Sequence, residues 1–128
     1  MITSGRARTA PNASNPHMRG RTYAIPFERV WQAALRLVGG GLRRWTLLSC
    51  DDHNGVIEAQ ARRIGGAMYD VMIQVHLDEN AQTRVDGQAT ARRRGTDFGT
   101  AARLLRHFFR TLDKTLAQRE RLRYARRS

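Results

Sequence analysis

The fold is decided where a strand pattern gives way to a helix pattern, at residues 89–109, which read ATARRRGTDFGTAARLLRHFF. From about Asp97 onward, apolar residues recur at spacings of three and four, which is the period of a helix that buries one side. They are Phe98, Ala101, Ala102, Leu105, Phe108, Phe109, Leu112 and Leu116. This stretch predicts a strand followed at once by a long amphipathic helix.

The turn inside this stretch carries Thr96 and Asp97 at the predicted start of the helix. A threonine hydroxyl and a first-turn carboxylate accept hydrogen bonds from the free N–H groups of a helix N-terminus. The carboxylate of Asp97 would also repel a phosphate there. We therefore predict a structural cap for Thr96 and Asp97, with an ion pair from Asp97 to a neighbouring arginine. Any anion binding is left to the arginines around the turn.

A first helix is predicted upstream, between Pro26 and a run of three glycines, 39–41. Proline suits the first turn of a helix, and glycine accepts the left-handed conformation that a helix C-cap needs. Asn54 and Gly55 read as a hairpin turn between two strands. The strands are predicted at residues 21–25, 44–50, 56–63, 69–77 and 83–93.

The order of elements is therefore β-α-β-β-β-β-α, which is an α+β single domain. In the strand at 69–77, one face carries only apolar side chains, those of Tyr69, Val71, Ile73, Val75 and Leu77. Such alternation is typical of an antiparallel sheet covered on one side. We predict a curved antiparallel sheet of four or five strands packed on two helices.

Charge divides the 128-residue chain into three parts. We predict a disordered basic leader at residues 1–20, the α+β domain at 21–117 and a basic C-terminal helix extension or tail at 118–128. The formal net charge is +12, and the last ten residues alone hold five arginines against Glu120. Such an excess favours anionic partners, meaning a nucleic acid backbone or anionic lipid, and a protein partner stays open.

The candidate binding residues are arginines near the turn, along the helix and in the tail. They are Arg92, Arg93, Arg94, Arg103, Arg106, Arg110, Arg119, Arg121 and Arg123. With Lys114, Arg103, Arg106 and Arg110 lie opposite the apolar stripe, and such a stripe is more often a solvated helix face. Because 22 of the 23 basic residues are arginine, base composition alone could also produce this excess. Since no sequence-reading motif is found, we expect contacts to a backbone rather than to bases.

No catalytic set can be assembled from the sequence, so we predict a protein that is not an enzyme and has no cofactor. Asp51, Asp52 and His53 are consecutive turn positions without a further ligand at metal-binding spacing, which indicates a solvated turn and no metal. His76 and Asp78 have no nameable third partner. No apolar run approaches the roughly 20 residues of a spanning helix. We therefore expect a cytoplasmic protein, with peripheral membrane association left open.

Four stretches resemble the uncharacterised bacterial family named domain of unknown function 1499. They are IPFERVWQAALRLV, RRWTLLSC with its hairpin, YDVMIQV and ARRRGTDFGTAARLLRHF, and the resemblance covers residues 22–113. Its most specific part is the strand-to-helix passage, where the residues that fit the family's pattern are Arg92, Thr96, Asp97, Gly99 and Arg103. The resemblance implies the fold and a shared site but no reaction, because the family has no assigned activity.

The stretch AIPFERVWQAAL is also similar to the opening of the helix-grip lipid-binding superfamily, in which a long C-terminal helix closes over a curved sheet. This resemblance implies a reduced helix-grip-like fold, with too few strands for a full-sized cavity. Two functions follow. The first is a non-enzymatic binding or accessory module that associates with an anionic partner through arginine-rich tails. The alternative is a domain that holds an apolar small molecule or lipid between the C-terminal helix and the sheet.

Overall fold

A computed structural model describes residues 6–9, 20–63, 65–92 and 98–127 of the chain. It contains six strands and two α-helices, with a wide π-helical turn at Leu37–Gly41 after the first helix. In chain order the elements are β1 (Arg6–Arg8), β2 (Arg21–Tyr23), α1 (Phe27–Arg36), β3 (Trp45–Asp51), β4 (Val56–Arg62), β5 (Met68–Leu77), β6 (Thr83–Ala91) and α2 (Phe98–Arg127).

All strands pair antiparallel in one sheet, in the order β1-β6-β5-β4-β3, and β2 also pairs with β6. β1 and β2 lie end to end along the same edge of β6, since Arg8 is opposite Gln88 and Arg21 is opposite Val85. The six strands therefore occupy five positions in an open sheet. With two helices packed on it, this architecture confirms the predicted α+β single domain.

The prediction of a disordered leader over residues 1–20 is wrong for residues 6–9. β1 pairs with β6, and the following Thr9 is buried, with its hydroxyl donating to Asp86 Oδ1 at 2.7 Å and accepting from the N–H of Gly87 at 2.9 Å. β6 would otherwise leave backbone N–H and C=O groups unpaired on this edge. A strand of three residues is too short to show a hydrophobic period, which is why the sequence does not reveal it.

The core lies between the sheet and the two helices. Tyr69, Val71, Ile73 and Val75 point inward from β5 as predicted, whereas Leu77 at the end of the strand is 57% exposed, contrary to the prediction. The described part of the predicted α2 stripe is buried or half-buried, and Leu104, which the prediction omits, is only 6% exposed.

Close contact between α2 and β6 explains the glycine inside that strand. A Cβ at Gly87 would lie 2.9 Å from a methyl group of Leu105, so a larger residue would force that side chain to move. α1 ends at Arg36, and the π-helical turn that follows it stops at the glycine run, as predicted for the helical stretch, with Gly40 at a φ of 148°. Beyond Leu116, α2 continues without a break to Arg127, and residues 121–125 are exposed.

None of the helices in the described part of the chain is long and apolar enough to cross a membrane.

Candidate functional site

A groove lies between α2 and the end of the sheet at which β3 begins and β4 ends. Its volume is about 520 Å³. It is lined by Gly41, Leu42, Arg43, Arg44, Trp45, Arg62, Arg63, Leu104, His107 and Thr111, and we call it the basic groove. Three chain segments, the loop before β3, the end of β4 and the middle of α2, thus contribute to one concave surface.

Four exposed arginines dominate the basic groove: Arg43, Arg44, Arg62 and Arg63. The backbone N–H of Arg62 donates to the carbonyl oxygen of Arg44 at 2.9 Å, which extends the β3–β4 ladder one residue beyond the pair Trp45 and Ala61. Two arginines are therefore direct cross-strand neighbours, and each has a second arginine beside it in sequence. Like charges placed opposite each other on a sheet destabilise it.

Among the residues that the structure describes, no carboxylate offsets this charge. In the described part of the chain, none of the four guanidinium groups makes a hydrogen bond or an ion pair. Elsewhere arginines do find such partners: Arg21 pairs with Asp113 at 3.0 Å and Arg84 with Asp86 at 2.9 Å. The basic groove is thus a concentrated and uncompensated positive site.

Backbone conformation adds a second cost at the same place. Arg44 has a φ of 66°, in the left-handed region that glycine and asparagine adopt far more readily. This conformation costs an ordinary residue about 1 to 2 kcal/mol. It reverses the chain between the glycine run and β3, and it is occupied by an arginine rather than by a residue suited to it.

The floor of the groove is rigid and apolar. Trp45 and Leu104 are only 8% and 6% exposed, and the Trp45 ring stacks on Phe108 with 5.8 Å between ring centroids. On the helix wall, Thr111 donates its hydroxyl to the carbonyl oxygen of His107 at 2.9 Å, and the His107 ring is exposed. The apolar residues thus form the floor of the site, and its charged side chains are exposed.

The helix wall carries further positive charge. Arg103, Arg110 and Lys114 lie four residues before, three after and seven after His107, so all share its face of α2. All three are exposed, and Arg103 makes one weak contact, 3.5 Å to the Thr100 hydroxyl. The predicted residues Arg103 and Arg110 therefore border the basic groove, and Arg106, three residues after Arg103 and four before Arg110, is half-buried at the edge of the same face farther from His107.

The remaining predicted arginines are elsewhere. Arg92 is paired with Asp70 at 2.9 Å, so its charge is offset. Arg119 and Arg123 line a second cleft of about 430 Å³, together with Arg29, Arg36, Leu116, Glu120 and Leu122. Arg121 is exposed on the C-terminal part of α2. Arg93, Arg94, Thr96 and Asp97 lie outside the described residues.

The four groove arginines are absent from the sequence-based predictions. Arg43 and Arg44 stand before one strand, and Arg62 and Arg63 end the next, with the Asn54–Gly55 hairpin turn between them. An antiparallel hairpin brings its two outer ends together, so this sequence arrangement contained the signal.

Another polar cluster holds β2 against α2. Asp113 accepts hydrogen bonds from the Tyr23 hydroxyl at 2.6 Å and from Arg21 Nε at 3.0 Å. Burial of the phenol, and then its hydrogen bond to Asp113, raises the pKa of Tyr23 far above its ordinary value. These contacts join β2 to α2, so we assign them a structural role.

The hairpin turn after β3 is solvated, as predicted. Asp51 accepts a hydrogen bond from the side-chain amide of Asn54 at 2.7 Å and others from the backbone N–H groups of Asn54 and His53, and these bonds lower its pKa. Among the residues that the structure describes, no three His, Cys, Asp or Glu side chains are grouped so that they could hold a metal.

The chain matches no protein-family model and no curated protein.

Proposed function

We propose that this protein is a non-enzymatic binding module that holds an anionic partner in the basic groove and along the adjoining face of α2. The observation that carries the proposal is the convergence of Arg43, Arg44, Arg62 and Arg63 without a carboxylate among the described residues. A bound anion would supply the missing negative charge and offset the repulsion between neighbouring guanidinium groups.

Arginine is well suited to this task. Its planar guanidinium forms two parallel hydrogen bonds to one phosphate, sulfate or carboxylate group, and it is always charged at physiological pH. In the basic groove the side chains are exposed and come from adjacent strands, so they can converge on one polyanion. Flexible arginines of this kind contact a charged backbone and do not read a sequence.

The proposal shifts the main site away from the tails. The leader at residues 1–20 and the extension at 118–128 were predicted to carry the contact, whereas the basic groove now has that role. Part of the extension is already committed, because Glu120 lies 3.4 Å from Arg29 on α1. We give Arg121 a supporting role at low salt, and we assign no contact to Arg123, which lines the second cleft.

The alternative function, an apolar ligand between α2 and the sheet, finds no support among the described residues. Tyr69, Leu105, Phe108 and Phe109 are fully buried there and fill the space in question. The resemblance to domain of unknown function 1499 remains a prediction.

A charge-matched comparison on heparin tests the proposal. The variant Arg44→Gln/Arg62→Gln removes two charges from the basic groove, and Arg36→Gln/Arg123→Gln removes two from the second cleft. We expect the groove variant to elute at clearly lower salt than the wild-type chain, and the cleft variant to elute close to it. Equal shifts would mean that only the net charge matters, and the groove proposal would be abandoned.

A further inference from the structure

Four of the exposed basic residues on α2 form a line along the helix. Arg103, Arg110, Lys114 and Arg121 are spaced by seven, four and seven residues, so they lie on one face of the helix. At about 1.5 Å per residue, they span about 27 Å. We call this line the basic track. Its first three members run beside the basic groove, where the groove arginines form a facing wall, and Arg121 continues it beyond the groove.

This arrangement is a poor match for a membrane surface. A helix that lies on a bilayer has one continuous apolar face beneath its charges. The exposed large apolar residues of the α2 extension are Leu122 and Tyr124, which stand two residues apart and so about 200° apart around the helix. The others, Leu47, Leu48 and Leu77, lie on the strands.

Duplex DNA is also a poor match. A recognition helix enters the major groove, which is about 12 Å wide and has little space beyond the helix itself. The track face of α2 has the arginine wall of the groove close beside it, with Arg43, Arg44, Arg62 and Arg63 on the rim. That rim would meet the duplex before α2 entered the groove.

A single strand of nucleic acid fits both the shape and the chemistry. It is narrow and flexible enough to follow a channel, its phosphates meet a line of cations, and its unstacked bases present flat faces on which guanidinium groups stack. We infer that the basic groove and the basic track together bind single-stranded nucleic acid without sequence preference. Since stacked nucleotides, at about 3.4 Å each, have the shortest spacing along a strand, the track accommodates at most about eight nucleotides. This inference rests on the proposed function and names its ligand class.

Fluorescence anisotropy with the full chain tests the inference. The probes are labelled oligo-dT and oligo-U of about four, eight and sixteen nucleotides, a mixed-sequence duplex, and unlabelled polyphosphate as competitor. Binding to phosphatidylcholine vesicles that contain phosphatidylserine is measured by co-sedimentation. We expect affinity to rise at least tenfold between about four and eight nucleotides and to level off afterwards, with weaker binding to the duplex and the vesicles.

Two variants locate the contact. Arg110→Gln/Arg121→Gln removes two track charges, and at about 0.7 per phosphate contact it should reduce the slope of log affinity against log salt by about 1.4 for a single strand. Arg36→Gln/Arg123→Gln is the charge-matched control and should leave the slope nearly unchanged.

The outcomes separate the inference from the proposed function. If polyphosphate binds in a manner that depends on Arg44 and Arg62, but the duplex or the vesicles bind more tightly than the single strand, the inference is wrong and the proposed function survives. An unchanged slope in the track variant would also overturn the inference. If no polyanion binds through the groove, both fail.

Discussion

The backbone of Arg62 donates a 2.9 Å hydrogen bond to the backbone of Arg44, so two arginines with no carboxylate partner among the described residues end a hairpin side by side. The backbone hydrogen bond and the side-chain charges have opposite effects on the stability of this hairpin. The ladder hydrogen bond stabilises the hairpin, whereas the guanidinium groups that it brings together repel. A bound anion would offset the repulsion and leave the hydrogen bond intact.

Replacing Arg44 by glycine should stabilise the protein and weaken its binding to polyanions. Glycine adopts a φ of 66° without strain, and the change also removes a repelled charge. We expect the free energy of unfolding in urea to rise by about 0.5 to 1 kcal/mol. The neighbouring Arg43→Gly is the control, because its backbone is not in the left-handed region, and it should cost about 0.4 to 1 kcal/mol. A loss of stability in Arg44→Gly as large as that in the control would contradict this account.

The same substitution, tyrosine to phenylalanine, should have opposite effects at two positions. The Tyr23 hydroxyl donates to Asp113, and losing a hydrogen bond to a charged group costs about 1.5 to 3 kcal/mol. The hydroxyl of Tyr69 is buried and has no hydrogen-bond partner within the described ranges of the chain. Tyr69→Phe should therefore leave the free energy of unfolding unchanged or raise it by about 1 kcal/mol. A loss of more than about 1 kcal/mol at Tyr69 would reveal a partner for its hydroxyl.

Tyr23 should also make stability fall in alkaline solution. Its pKa is raised in the folded protein, whereas in the unfolded chain it loses its proton near the ordinary value of about 10. The folded state then holds a proton that the unfolded state has released, so the free energy of unfolding declines as pH rises above about 10. Denaturation curves between about pH 8 and 11 should show a smaller decline in Tyr23→Phe than in the wild type. Identical pH dependence in the two proteins would argue against the Tyr23–Asp113 contact.

Phe108 should be a major contributor to stability. Its side chain is fully buried, stacks on Trp45 and makes an edge contact with Phe109 at 5.3 Å between centroids. Phe108→Ala should lower the free energy of unfolding by about 3 to 5 kcal/mol, because it leaves a cavity between α2 and the sheet. Since Trp45 stacks on Phe108 and forms the floor of the basic groove, the affinity for polyanions should fall as well. A midpoint of unfolding equal to that of the wild type would be incompatible with the observed packing.

Strong local sequence patterns predicted most strands and helices. Features that depend on pairing between segments distant in sequence were missed. The alternation from Tyr69 to Val75 and the Asn54–Gly55 turn correctly gave β5 and the β3–β4 hairpin. β1 escaped prediction because three residues carry no period, and its position depends on the free edge of β6. Leu77 was misplaced because alternation continues along the strand after the covering layer has ended.

The site was harder to predict than the fold because the tertiary structure, and not the local sequence, determines which charged side chains pair. Arg92 was a candidate, yet a carboxylate on the neighbouring strand neutralises it. In the β3–β4 ladder a shift of register between Leu47 and Ser49 sets which residue faces Arg62. Without the shift, regular pairing outward from the turn would place Arg63, rather than Arg62, opposite Arg44. The paired arginines at each strand end tolerate such a one-residue change, because either register brings cations together.

Whether the basic groove itself binds an anion can be decided by locating a bound anion on the folded chain. In a ¹H–¹⁵N correlation titration of the full chain with tripolyphosphate, we expect saturable shifts of the backbone and side-chain N–H signals of Arg43, Arg44, Arg62 and Arg63. The N–H of His107 should follow with the same affinity, and signals of Arg29 and Arg36 in the second cleft should stay in place. Shifts that are confined to Arg121 and Arg123, or that rise evenly over all arginines without saturation, would contradict the account.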